Sequence, residues 1–187
     1  MRITAVPGAT EAMPIDTEAL AQRLTRTSVL VVDDEHYMRK VVRTMLMGLG
    51  VRTVYEAADG QAGLALIRAN SPDVVILDWQ MPGLDGAAFV RMVRSPDIFP
   101  CPDVPVIMLT GHGERSRVIE AMQIGVNEFL LKPVSSKSLR DRLVSVLANP
   151  RPLVRAGNYY GPAPRKAAAA SIHADNDEAV ASLILVN

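Results

Sequence analysis

Four apolar runs in this chain each end on polar residues. Val29-Leu-Val-Val leads into Asp33-Asp34, Val74-Val-Ile-Leu into Asp78, Val106-Ile-Met-Leu into Thr110, and Phe129-Leu-Leu into Lys132-Pro133. Short runs of β-branched and aliphatic residues bounded by turn formers read as strands buried on both faces, as in a parallel sheet. Ligands of an open parallel α/β sheet bind outside the carboxyl ends of its strands. The pattern therefore gathers three carboxylates, a hydroxyl and an ammonium on one sheet edge, from four separate strands.

Between these runs the apolar period lengthens to that of helices. Val41, Val42, Met45, Leu46 and Leu49 form one face of a helix over Glu35 to Leu49, closed by Gly48 and Gly50. A strand over Val51 to Glu56 follows, then a helix over Gly60 to Ala69 that packs Leu64 and Ile67. Ser71-Pro72 opens a strand over Asp73 to Leu77, and Asp85 is placed to cap a helix reaching Arg94. Four prolines between Ser95 and Pro105 require an irregular connection. Beyond it the pattern predicts a helix over Glu114 to Ile124, a strand over Asn127 to Leu131, and a helix over Ser136 to Ala148 presenting Leu139, Leu143, Val146 and Leu147.

The flanks are less patterned. Met1 to Ala12 reads as disordered, and Ile15 to Arg26 carries Leu20 and Leu24 on a short helix that Asp16 or Thr17 would cap, with Glu18 in its first turn. Asn149-Pro150-Arg-Pro152 stops the last helix. Arg151 to Lys166 holds four basic residues, no acid, Tyr159 and Tyr160; it reads as a solvated tail, with a docking segment as the alternative. Ala167 to Ala170 is low in complexity, and Glu178 to Val186 offers one marginal helix. The expected organisation is an N-terminal extension over 1–27, an α/β domain over 28–148, and a C-terminal tail over 149–187 that holds no second core and so no attached output domain. Both extensions are expected to be flexible.

Composition adds limits. The chain has 187 residues, 49% of them hydrophobic but only 4% aromatic, so its core is aliphatic and fits one domain of ordinary size. Lys plus Arg equals Asp plus Glu at 20 each, which points to neither nucleic acid nor an anionic membrane. The single Cys101 makes no internal disulfide and reads as a spectator thiol in a reducing compartment. No basic start precedes an apolar stretch, and no apolar run approaches the ~18 residues of a spanning helix. A cytoplasmic location is expected.

The segments VVDDEHYMRKVVRTML, ILDWQMPGLDG, VIMLTGHGE and FLLKP resemble, in that order, the receiver domain of bacterial two-component response regulators, from about Ser28 to Ala148. The resemblance implies a doubly wound, flavodoxin-like fold, a five-stranded parallel sheet of order 2-1-3-4-5. It implies a stand-alone receiver that takes a phosphoryl group on Asp78 from a sensor histidine kinase or phosphotransfer protein and then binds a downstream protein. Such a domain is a signalling phosphoacceptor rather than an enzyme, although it assists its own phosphoryl transfer and hydrolysis.

The site residues follow position by position. Carboxylates attack phosphoryl groups to give aspartyl phosphates, a transfer that needs in-line positioning and charge neutralisation. Asp33 and Asp34 beside Asp78 would repel it unless a divalent cation intervened, and an all-oxygen site suits Mg²⁺. The resemblance makes Asp34 and Asp78 direct ligands, Asp33 a ligand through water, and the backbone carbonyl of Gln80 the last protein share. Lys132 pairs with Asp78 at rest and with a phosphoryl oxygen afterwards, and Thr110 donates its hydroxyl to another. Thr110 and Phe129 are the expected switch residues, and the face formed by the helix over 114–124, the strand over 127–131 and the helix over 136–148 reads out the change. Phe129 stands where Tyr is frequent, so switching there has no hydroxyl to use, and Trp79 and Gln80 also depart from the commonest pattern. The Lys132-Pro133 bond is expected to be cis. Glu35 reads as an N-cap or solvated residue, and His112 as a solvated loop residue.

Two other classes compete. A haloacid-dehalogenase-type phosphatase would carry D-x-D-x-T after its first strand, whereas this chain has Asp33-Asp34-Glu35 there and its lone Asp78 after the third. A phosphate-independent docking module on the same fold has no need of the full set of site residues.

Overall fold

The computed structural model describes residues 17–111 and 115–164. Helix α1 (Thr17–Arg26) leads into β1 (Ser28–Val32), and the chain then alternates through α2 (His36–Gly48), β2 (Thr53–Ala57), α3 (Gly60–Asn70), β3 (Val74–Asp78), α4 (Gly86–Val93), β4 (Val106–Thr110), α5 (Arg115–Gln123), β5 (Glu128–Leu131) and α6 (Ser136–Ala148). The five strands form one parallel sheet of order β2-β1-β3-β4-β5. This is the expected doubly wound fold. Every residue of β3 and of β4 is buried, as continuous apolar runs require of strands covered on both faces.

The sheet separates two cores. On one side Leu64, Ile67, Phe89, Val90 and Ala121 bring α3, α4 and α5 against Leu30, Val32, Leu77 and Met108. On the other, Leu20, Leu24, Val42, Leu46, Leu139 and Leu143 bring α1, α2 and α6 against Val29, Val31, Ile76 and Leu109. The short N-terminal helix thus belongs to the core, through its two leucines.

Two strands start later than the sequence pattern places them. Val51 donates its N–H to the Leu46 carbonyl at 3.0 Å, with Gly50 at φ +101°, so it closes α2 in a Schellman-type turn instead of opening β2. Asp73 precedes β3, where its carboxylate accepts the N–H and hydroxyl of Ser28, both at 2.7 Å, and clips the starts of β1 and β3 together.

The Pro-rich connection over 95–105 is irregular, as its composition requires, yet it is anchored. Phe99 is buried, with the Arg68 guanidinium 4.9 Å from its ring centroid. Arg94 is 6% exposed and donates to the carbonyls of Pro102, Val104 (2.8 Å) and Gly125 (2.9 Å) and to Oδ1 of Asn127 (2.8 Å). Burial pulls its pKa down to about 10, which still leaves it charged at neutral pH.

Over the described residues 149–164 the C-terminal segment corrects the expectation of a flexible, solvated tail in favour of the docking alternative. Residues 153–162 form an antiparallel hairpin, β6 (Leu153–Ala156) and β7 (Tyr159–Pro162). Its two-residue turn is Gly157-Asn158, with Gly157 at φ +58° as a primed hairpin turn demands. The hairpin docks at the amino ends of β4 and β5: Arg151 donates to the carbonyls of Val126 and Asn127, Tyr160 to the Asp103 carboxylate, and Arg155 pairs with Asp97 at 2.8 Å. It adds no core of its own. The expected disorder over 1–12, the capping role of Asp16, His112, Ala167 to Ala170 and the marginal helix over 178–186 lie outside the described residues.

Candidate functional site

Where β1 ends, Asp33 and Asp34 turn the chain toward α2. Asp33 is fully buried and both its oxygens are engaged: Oδ1 accepts the Glu35 N–H at 2.8 Å and Oδ2 accepts Lys132 Nζ at 3.1 Å. Asp34 is exposed. Glu35 occupies the N-cap position of α2, but its side chain makes no cap bond; its backbone N–H holds Asp33 instead.

Asp78 closes β3 at 5% exposure. One carboxylate oxygen from each of Asp33, Asp34 and Asp78 lies within 4.8 Å of the others. The loop after Asp78 carries Gln80 and returns at once over the strand end. There the Gly86 N–H donates to the Trp79 carbonyl at 3.0 Å, and a Cβ on Gly86 would come within 2.5 Å of the Asp78 carbonyl oxygen. Only glycine permits this approach. Asp85 caps α4 by accepting the Ala88 N–H at 2.7 Å. The D-G of the motif therefore has two jobs, a cap and a close crossing. Trp79 and Met81 are buried in the core on the α3–α4 side, and Trp79, Gln80, Met81, Pro82 and Asp85 line a shallow open pocket beside the strand end.

Lys132 follows β5, its N–H bonded to the Thr110 carbonyl at 2.8 Å, and the Lys132–Pro133 bond is cis, as expected. Its Nζ lies 2.9 Å from Asp78 Oδ1 and 3.1 Å from Asp33 Oδ2. Thr110 is buried at the end of β4, and Phe129 is half-buried against the core that holds Trp79. Strand register sets Asp78 beside Leu109 and Thr110 beside Leu131. Asp33, Asp78, Lys132 and Thr110 thus share one strand edge, with Asp34 at the rim.

The charges do not balance: three carboxylates gather at one ammonium, which pairs with only two of them, Asp33 and Asp78. Burial pushes the Asp78 carboxyl above the usual range, Lys132 draws it back down, and Asp33 raises it again. Burial pulls the Lys132 ammonium down, but its pairing with Asp78 and Asp33 outweighs that and leaves it raised. Carboxylates with oxygens within 4.8 Å of one another repel by roughly 3 kcal/mol or more at an effective dielectric of about 20. A cluster of hard oxygen donors with an excess of negative charge and one exposed member suits a hydrated divalent cation such as Mg²⁺.

One contributing residue carries no sequence signal. Arg39 on α2 donates to the backbone carbonyls of Asp33 (2.7 Å) and Asp34 (3.2 Å), and nothing in the spacing separates it from a surface arginine. The positions of Gly86 and of the Lys132–Asp33 pair likewise emerge only in three dimensions.

Comparison with known proteins agrees with this geometry. The family model described as the response regulator receiver domain matches residues 29–144, more than half of the chain. Chemotaxis protein CheY-3 of Vibrio cholerae is 35% identical over 115 residues, 62% of this chain and 87% of that protein. A crystal structure of a putative response regulator from Chloroflexus aurantiacus superposes with a TM-score of 0.61 at 33% identity, covering 66% of this chain and 98% of that one. The receiver domain of a sensor histidine kinase from Pseudomonas aeruginosa, solved with magnesium coordinated in its active-site cleft, is 29% identical with a TM-score of 0.57, over 63% of this chain and 94% of that one. No helix among the described residues is long and apolar enough to cross a membrane.

Proposed function

The chain belongs to the response regulator receiver family, and on that premise we propose that it is a single-domain phosphoacceptor. It takes a phosphoryl group on Asp78 from a histidine kinase or phosphotransfer protein and signals by phosphorylation-dependent binding of a partner protein in the cytoplasm. The observation that carries this reading is the Asp33–Lys132–Asp78 cluster at one strand edge, with Asp34 within reach.

Asp34, Asp78 and the Gln80 carbonyl would hold Mg²⁺ directly and Asp33 through water, since both Asp33 oxygens already accept hydrogen bonds. When bound, the cation neutralises charge on the carboxylates and on the phosphoryl oxygens. A carboxylate oxygen of Asp78 forms the new O–P bond in line with the breaking P–N bond of a phosphohistidine, and the imidazole leaves and takes up a proton. Lys132 then exchanges its Asp78 contact for a phosphoryl oxygen, and the Thr110 hydroxyl donates to another. Thr110 and Phe129 carry the change to the face of α5, β5 and α6, a shift between two receiver states. The hairpin docks at the opposite, amino ends of β4 and β5 and takes no part in this chemistry.

The family match does not favour a phosphate-independent docking module on the same fold. Binding of beryllofluoride in the presence of Mg²⁺, read by Trp79 fluorescence, tests the choice. A saturable, Mg²⁺-dependent response that Asp78→Asn abolishes is expected, and no response in the wild type would overturn the proposal.

A further inference from the structure

We propose that Arg39 is a positioning residue for the metal-binding loop, fixing Asp33 and Asp34 through their backbone carbonyls so that their carboxylates face the site. The inference rests on the reading of that site as a Mg²⁺ centre.

Arg39 begins as an anomaly. It lies in the first turn of α2, where the helix dipole disfavours a cation, and that turn holds no acidic residue to offset it. Its side chain is only 12% exposed, so the guanidinium is committed to its contacts. An ordinary reading would make it the partner of Glu56 on β2. That pair is long, at 3.9 Å, and Arg43 already meets Glu56 at 3.1 Å. The short bonds of Arg39 go elsewhere, from Nη1 to the Asp33 carbonyl at 2.7 Å and the Asp34 carbonyl at 3.2 Å. Nη2 meets His36 Nδ1 at 3.2 Å, closing the arrangement on the solvent side.

One guanidinium therefore holds consecutive carbonyls of the two acidic residues from behind. Turning those carbonyls toward Arg39 commits the peptide planes between β1 and α2, and with them the directions of both side chains. Outer-shell partners of this kind orient the ligands rather than touch the ion.

The sign of the effect separates this role from simple electrostatics. Arg39 is a nearby cation, so field effects alone would make its removal tighten Mg²⁺ binding. Positioning requires that removal weaken it. Mg²⁺ titrations of the whole chain, read by the fluorescence of Trp79, the sole tryptophan, compare the wild type with Arg39→Met, Arg39→Lys and Arg43→Met. Arg39→Met should raise the Kd for Mg²⁺ by about tenfold or more, Arg39→Lys by less because one ammonium holds one carbonyl well, and Arg43→Met should leave it unchanged. At saturating Mg²⁺ the rate of phosphorylation by acetyl phosphate should return toward wild type. An unchanged or lowered Kd in Arg39→Met overturns the proposal, whatever happens to its thermal midpoint. If Arg39→Met does not fold, wild-type affinity in Arg39→Lys overturns it instead. A wild type that gives no Mg²⁺ response overturns the reading of the site, an outcome distinct from loss confined to the Arg39 variants.

Discussion

Lys132 holds Asp78 at 2.9 Å while also holding the fully buried Asp33 at 3.1 Å. A single ammonium thus ties the ends of β1 and β3 to the chain leaving β5. Its charge satisfies neither carboxylate fully, which is why the Asp78 carboxyl rises under burial even with a lysine beside it.

The first prediction concerns Asp78. Asp78→Asn should abolish formation of an acyl phosphate from acetyl phosphate, and it should also stabilise the metal-free protein. A carboxyl whose folded pKa is raised contributes stability that is full below its unfolded value of 3.8 and lost as pH rises through the folded pKa. At neutral pH the ionised Asp78 is therefore a liability that the amide lacks. Urea denaturation without Mg²⁺ should show Asn above Asp at pH 7, the gap narrowing below pH 4; a gap of opposite sign at pH 7 would refute the charge argument.

Lys132 titrates with the opposite consequence. Its raised pKa means that the stability from its ion pairs is present below the ordinary value of 10.5 and is lost as pH rises through the folded pKa, above that value. The wild type should lose stability along this alkaline limb. In Lys132→Met the loss should be smaller, because the buried carboxylates there lack a counter-charge at every pH. Parallel pH profiles for the two proteins, measured by thermal denaturation, would remove the ion pair from the account.

Metal binding should divide the acidic pair unequally. Asp34→Asn should weaken Mg²⁺ binding more than Asp33→Asn, since the Asp33 oxygens already accept Glu35 N–H and Lys132. Asp33→Asn should instead lower stability, because one amide oxygen cannot replace two engaged carboxylate oxygens in a fully buried place. Equal Mg²⁺ affinities in the two variants would contradict the assignment.

The site was legible because its residues punctuate apolar runs. Val74 to Asp78 and Val106 to Thr110 are buried strands whose last residues emerge at the carboxyl edge; that β3 and β4 are neighbours, which brings Asp78 and Thr110 together, comes from the family resemblance and not from periodicity. Arg39 was not legible, because its role depends on where two carbonyls point, and periodicity carries no such information. The hairpin over 153–162 carried a signal in Gly157-Asn158 between two four-residue runs. Prolines and glycines around it, and strands too short to show alternation, masked that signal. Its docking partners, Asp97, Asp103 and the carbonyls beside Gly125, lie in loops distant in sequence.

The last prediction tests that docking. Gly125 sits at φ +93°, and a Cβ there would come 2.8 Å from the Tyr160 carbonyl oxygen; a Cβ on Gly161 would come 2.8 Å from the Gly125 Cα. Two glycines thus let the hairpin backbone lie directly on the turn between α5 and β5. The same turn offers its Gly125 carbonyl to the buried Arg94 and its Asn127 side chain to the Val106 N–H. Alanine at 125 meets a left-handed backbone that costs about 1–2 kcal/mol, and the contact with β7 adds to it. Gly161→Ala lacks the dihedral cost and should isolate the steric part. Both variants should speed amide exchange over 153–162, as loss of docking exposes the two-stranded ladder, and two strands alone are marginal in water. Gly157→Ala is the control: its Cβ meets nothing within 4 Å, so it strains the turn at φ +58° without touching the receiver. Exchange that accelerates for Gly157→Ala but not for Gly125→Ala would show a hairpin held by its own turn rather than by the surface beneath it.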